Sequence, residues 1–199
     1  MHWERIEPVA ESFGDLDPKL DAREADLEPG QEWTGWHRAE KDLFPPAEYT
    51  AMTPAERSAI STQLVADTED LVTRTRTVEL TPGQARQRRK ELLDEVATGK
   101  VTGEEEIWSH TDLWDFQANV DGARIAFENL RPALEQKDAD LAKSLDEKFT
   151  ALQTELKKHA KGDGFVYYNE LSQEQVQQLA ALVDSLGEPL SKLTAAVVL

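Results

Sequence analysis

The chain has 199 residues, 39 Asp and Glu against 22 Lys and Arg, a formal net charge of −17 and no cysteine. A chain of this length can bury roughly 70% of its unfolded surface, so a sizeable core is expected. Disulfides, thiolate metal sites and cysteine nucleophiles are excluded, and the excess of carboxylates repels nucleic-acid phosphates and anionic lipid while attracting cations.

The chain opens on an acidic stretch, "HWERIEPVAESFGDLDPKLDARE". Glu4 and Glu7 are spaced i, i+3, and Asp15, Asp17 and Asp21 follow Gly14. These acids read as a charged helix end followed by turn-forming aspartates. A calcium loop is rejected, because Pro18 stands where such a loop must coil around the ion. The start "MHWERIEPVAESF" has neither a basic n-region nor an apolar h-region. No apolar run approaches the roughly 20 residues that span a bilayer. Two readings follow: a cytoplasmic protein, or one whose leader has been removed.

Next comes "WTGWHRAEKDLF", a short charged helix with His37 and Glu40 three positions apart. Residues so spaced lie about 5–6 Å apart at Cβ and can converge on one cation. An imidazole with a carboxylate suits iron, manganese, zinc, nickel or copper(II), whereas all-oxygen sites favour calcium or magnesium. The same spacing also arises by chance as a solvated pair on an acidic helix. The zinc-protease pattern H-E-x-x-H is absent, since Arg38 follows the histidine.

A loop is expected over Leu43 to Met52. Capping boxes then recur: Thr53-Pro54-x-Glu56, Thr81-Pro82-x-Gln84, Thr102-x-x-Glu105 and Ser172-x-x-Gln175. Behind the first, Ile60, Leu64, Leu71 and Val72 make a weak apolar stripe. Further loops are expected over Val78 to Thr81 and Gly99 to Gly103, and the basic run Arg86, Arg88, Arg89, Lys90 reads as a solvated helix face.

The third polar cluster is "TGEEEIWSHTDLWDFQANVDGA", where Glu104, Glu105, Glu106, His110, Asp112 and Asp115 are interleaved with Trp108 and Trp114. Acids in a first helical turn are ordinarily electrostatic, and the aromatics ordinarily core. Asn119 and Asp121 flank a stripe residue and are either exposed or line an interior site. Leu113, Phe116, Val120, Ala123, Phe127 and Leu130 form the stripe itself, and Pro132 is expected to bend or end that helix near Leu130. Leu141, Leu145, Phe149, Leu152 and Leu156 form the next stripe. Lys161 to Leu171 is expected to be a packed loop, because its aromatics need burial. Val176, Leu179, Val183, Leu186, Leu190, Leu193 and Val197 complete the pattern. The fold class is all-α, an antiparallel helical bundle, in which helices from distant segments can aim carboxylates and imidazoles at one point.

The segments "WERIEPVAESFGDLDPKLDARE", "GWHRAEKDLF", "GEEEIWSHTDLWDFQANVDGA" and "KGDGFVYYNELSQEQVQQLAALVDSLGEPLSKL" resemble, in order and over the whole chain, the imelysin-like domain of EfeO/EfeM-type iron-uptake proteins. The resemblance implies a helical bundle of two subdomains, here residues 1–100 and 101–199, acting outside the cytoplasm as a component of an iron importer. It implies a metal site at the H-x-x-E motif, His37 and Glu40, and an acidic site carried onto Glu4, Glu7, Asp21 and Glu105, with His110 and Asp112 in second rank. Members usually have a further helix before the W-E-R-I-E segment, a signal or lipoprotein leader, and in some cases a cupredoxin-like domain; this chain is therefore expected to be a truncated form.

Three functional classes follow. In the leading one, carboxylate and imidazole groups bind iron, Fe(II) or Fe(III), with zinc or copper as other candidates, for delivery to a membrane permease and its uptake partners. In the second, the same ligands serve a ferroxidase or metallohydrolase, with Glu105 or Glu106 as general base. In the third, Trp33, Trp36, Trp108 and Trp114 bind a polysaccharide.

Overall fold

The computed structural model describes residues 13–77, 103 and 105–198. The expected caps at Thr81 and Thr102, the basic run at Arg86 to Lys90, and Glu4 and Glu7 lie outside these residues. The described chain forms two compact units: residues 13–77 together with Glu106–Ser109, and residues 103, 105 and 110–198.

The second unit is built on three long helices, α4 (Asp112–Lys137), α5 (Ala139–Lys158) and α6 (Gln173–Val198). Their stripes meet as the periodicity requires: Leu113, Val120, Phe127, Leu145, Phe149, Leu156, Leu179, Leu186 and Leu193 are all fully buried in one core. A single residue, Asp138, separates α4 from α5, and its carboxylate caps α5 by accepting from Leu141 N at 2.9 Å. Phe127 and Phe149, each eleven residues from that turn, stack at 5.6 Å, as antiparallel neighbours must. Gln178 on α6 reaches Glu155 on α5 at 2.8 Å across the next reversal.

Two expectations are refined here. Helix α4 does not end near Leu130 but runs through Pro132 to Lys137. Proline removes one N–H and so one helical hydrogen bond, yet Leu134 two residues later is fully buried, and its burial holds the final turn in place. The segment expected to be a packed loop contains an antiparallel ribbon, β1 (Ala160–Lys161) with β2 (Gly164–Phe165), in the register Ala160 to Phe165. It is followed by a 3-10 turn at Tyr168–Glu170. Phe165 sits edge-on to Trp114 at 5.5 Å, so the aromatics of this stretch are packed.

The first unit holds α1 (Asp17–Leu20), α2 (Gly35–Leu43) and α3 (Pro54–Thr77). Helix α3 opens with the expected capping box: Thr53 N donates to Glu56 Oε2 at 2.7 Å, and Glu56 N donates to Thr53 Oγ1 at 3.3 Å. The same reciprocal pair forms at Ser172 and Gln175 in the other unit. Leu16, Leu20, Leu64 and Leu71 are buried and form the apolar side of this unit.

The start of α2 depends on a glycine. Gly35 has φ +88°, and a Cβ there would lie 2.3 Å from the carbonyl oxygen of Leu20. The last carbonyl of α1 therefore rests directly on the first residue of α2, and Thr34 Oγ1 donates to Lys19 O at 2.8 Å beside it. Gly35→Ala is expected to destabilise this unit by about 1–3 kcal/mol from backbone strain alone, with the clash adding to that, as a lowered midpoint in urea unfolding would show.

Candidate metal centre

The junction of α1 and α2 fixes the residues that follow α1. Trp33 Nε1 donates to Ala22 O at 2.7 Å. With Thr34 holding Lys19 and Gly35 beneath Leu20, residues 19–22 are pinned from one side. Asp21 thereby lies with Oδ1 3.5 Å from His37 Nε2.

His37 and Glu40 lie on one face of α2, as their spacing requires, but they are not solvated. They are 4% and 7% exposed, which removes the reading of a chance pair on a charged surface. The cover comes from Glu106–Ser109, a segment of distant sequence that belongs to this unit. The amides of Trp108 and Ser109 donate to Glu40 Oε1 at 3.0 and 2.8 Å. Glu40 Oε2 faces His37 Nδ1 at 3.4 Å. Ser109 Oγ donates to Glu106 Oε2 at 3.3 Å, steadying the third carboxylate.

His37, Glu40 and Glu106 each place a donor atom within 4.8 Å of the other two, and among the described residues they are the one such group of three. Burial opposes charge on His37, but the hydrogen bond with Glu40 and the charges of Asp21 and Glu106 outweigh it and raise its pKa. Burial likewise pushes Glu40 upward, and the His37 contact with the amides of Ser109 and Trp108 more than reverses this, so Glu40 is held below the usual carboxylate range. One nitrogen and two carboxylates suit a first-row transition metal better than calcium or magnesium. Donors about 2.0–2.2 Å from an ion lie at most about 4.4 Å apart, close to the 4.8 Å within which all three donor atoms fall.

A family model described as Imelysin matches residues 1–193. The chain belongs to the imelysin family. It is 43% identical over 196 residues to an "Efem/EfeO family lipoprotein" of Staphylococcus haemolyticus, covering 97% of this chain and 67% of that protein. It is 41% identical over 197 residues to proteins of the same description from Staphylococcus aureus strains NCTC 8325 / PS 47 and COL, covering 97% of this chain and 68% of each.

In this imelysin chain the expected site residues are distributed unevenly. His37, Glu40 and Asp21 come together. Glu105, chosen from the run of three glutamates, belongs to the other unit, where its N–H donates to Asp112 Oδ1 at 3.2 Å; the carboxylate brought to His37 is Glu106. His110 and Asp112 also belong to that other unit. His110 adopts φ +57°, and its carbonyl accepts from Tyr168 N at 2.8 Å. The tryptophans pack: Trp33 and Trp108 lie 5.8 Å apart with Lys41 over both rings, at 5.5 and 5.2 Å, and Lys41 also pairs with Glu24.

Asp42 was not singled out by sequence and is among the most constrained side chains present. It is buried, and it accepts from Met52 N at 2.7 Å, Tyr49 Oη at 3.1 Å and Arg57 Nε at 2.6 Å. It thus ties α2 to the following loop and to α3. No periodicity or motif marks it. These donors, with the Met52 amide foremost, hold Asp42 below its ordinary pKa. Its contribution is then complete above the unfolded aspartate value and lost as pH falls through the lower folded value. Asp42→Ala should lower Tm by several degrees at neutral pH, and the gap from the parent should narrow in acid, a trend that melting curves across pH would record.

Proposed function

We propose that this imelysin protein captures iron outside the cytoplasm and passes it to a membrane permease with its associated uptake components. The observation that carries the reading is the cluster of buried His37 and Glu40 with half-buried Glu106. A chain of net charge −17 gathers cations at its surface. A mixed imidazole and carboxylate set then selects a transition metal from hard divalent ions. Zinc and copper share that preference for nitrogen, so they are the competing ions.

Three protein donors leave coordination positions open, as release to a second protein requires. The relatives' description as lipoproteins supports anchoring at a membrane surface in the whole protein. No helix among the described residues is long and apolar enough to cross a membrane, and anchoring by a lipid needs none. Glu4 and Glu7 enter the proposal as further acidic groups for cation capture, from the family resemblance alone.

Isothermal titration with Fe(II) under anaerobic conditions, and with Zn(II), tests this. The parent should bind one ion at this cluster. His37→Ala combined with Glu40→Ala should weaken that binding by more than about a hundredfold, beyond the range of outer-shell changes, and Glu106→Gln should weaken it in the same direction. Unchanged stoichiometry and affinity in the double variant would remove the pair from the site.

A further inference from the structure

We infer that the first unit carries a second binding site, for a small aliphatic diamine or polyamine, in which one ammonium group pairs with the buried carboxylate of Asp67. None of His37, Glu40 and Glu106 lines this site.

Three residues of α3 are buried: Leu64, Asp67 and Leu71. Spaced three and four apart, they share one stripe of the helix, where the middle position is ordinarily apolar. A buried carboxylate is costly unless it is paired and hydrogen bonded. Three other buried acids meet that cost visibly: Asp42 pairs with Arg57 at 2.6 Å, Glu155 with Lys158 at 2.6 Å, and Glu40 receives two backbone amides beside His37. Asp67 is 6% exposed, and its partner is a neutral amide one turn earlier on the same helix. Gln63 Nε2 donates to its two oxygens at 2.9 and 3.0 Å. One amide group shared between two oxygens leaves lone pairs of the carboxylate unfilled, and among the described residues no lysine or arginine pairs with it.

Asp67 lines a cavity of about 510 Å³ formed by α1, α3 and the residues just before α2, a volume suited to a small ligand. Glu32 puts a second carboxylate on the same lining, exposed where Asp67 is buried. Asp15 lines it too, but Arg74 occupies both of its oxygens, so that pair adds no net charge. Pro18, Ala59 and Ile60 supply apolar wall. An ammonium group has three donors and no acceptor, and its hydrogen bonds to carboxylate are among the strong ones. A short aliphatic chain with an ammonium at each end therefore answers the lining throughout: one end at Asp67, methylenes on the apolar wall, the other end at Glu32. A bare metal ion answers it less well, since among the described residues no three histidine or carboxylate donors converge here. Lys19, exposed on the same lining, is an opposing charge.

Isothermal titration of the metal-free chain with putrescine, a four-carbon diamine, tests this at about 0.15 M salt, where diffuse attraction to the acidic surface is screened. One putrescine per chain is expected, raising Tm as its concentration rises, while butanediol of the same length should not bind. Asp67→Asn keeps an oxygen for the Gln63 amide, and so the fold, and should weaken putrescine binding about 10–100-fold. Its Zn(II) binding should match the parent's, which separates this site from the metal centre. Glu32→Gln should weaken putrescine in the same direction, and Lys19→Gln should strengthen it by about two- to fivefold. Putrescine binding that Asp67→Asn leaves unchanged would reduce the effect to diffuse charge attraction and overturn the proposal. So would equal binding of the diol, weaker binding in Lys19→Gln, or no saturable putrescine binding by the parent. Saturable Ca(II) binding lost in Asp67→Asn, with none of putrescine, would overturn the ligand class in favour of an inorganic cation.

Discussion

One carboxylate oxygen organises the site. Glu40 Oε1 receives two consecutive backbone N–H groups, from residues 68 and 69 positions further along the chain. A buried carboxylate is costly unless hydrogen bonded, and buried amides are equally costly unless they find an acceptor. Each requirement satisfies the other here, so the segment Glu106–Ser109 is bound to α2 at the point where its own glutamate must be delivered. The second oxygen of Glu40 is left to face His37. The division of labour between the two oxygens of one residue is what turns a helical H-x-x-E pair into a three-donor cluster.

The surrounding contacts keep that arrangement in register. Trp108 packs on Trp33, and the ammonium of Lys41 lies within 6 Å of the rings of Trp33, Tyr49 and Trp108. Arg38 Nη1 donates to Tyr49 Oη at 2.6 Å, and Tyr49 in turn donates to Asp42. The residues between and beside His37 and Glu40 in sequence thus serve to hold the loops around α2, while the two site residues point inward. Replacing the aromatic group would loosen the segment that carries Glu106 without touching a donor atom. Trp33 and Trp108 are accounted for by this packing, and Trp114 by its edge-on contact with Phe165.

The helical elements were legible because burial on one face imposes a period on the sequence. The stripes from Leu113 to Phe127, from Leu145 to Leu156 and from Leu179 to Leu193 became the core of one unit with no reassignment. The caps at Thr53 and Ser172 were legible because their chemistry is local. Pro132 misled because a single missing hydrogen bond was weighed without the burial of Leu134 beyond it. In the site, His37 and Glu40 were visible as a spacing. Their burial, the choice of Glu106 over Glu105 and the knot at Asp42 were not. All three depend on contacts between segments tens of residues apart, and a run of three glutamates offers no local signal for which one turns inward.

The cluster is also asymmetric, and the asymmetry bears on exchange of an ion. His37 and Glu40 are buried, whereas Glu106 is half-buried. Glu40 is held by backbone amides, which cannot move without shifting the chain, whereas Glu106 is steadied through the hydroxyl of Ser109, a side-chain contact on its own segment. The side of the cluster nearer to solvent is therefore the side that Glu106 forms. For an ion held here, Glu106 would be the donor nearer to solvent, with the imidazole and Glu40 behind it.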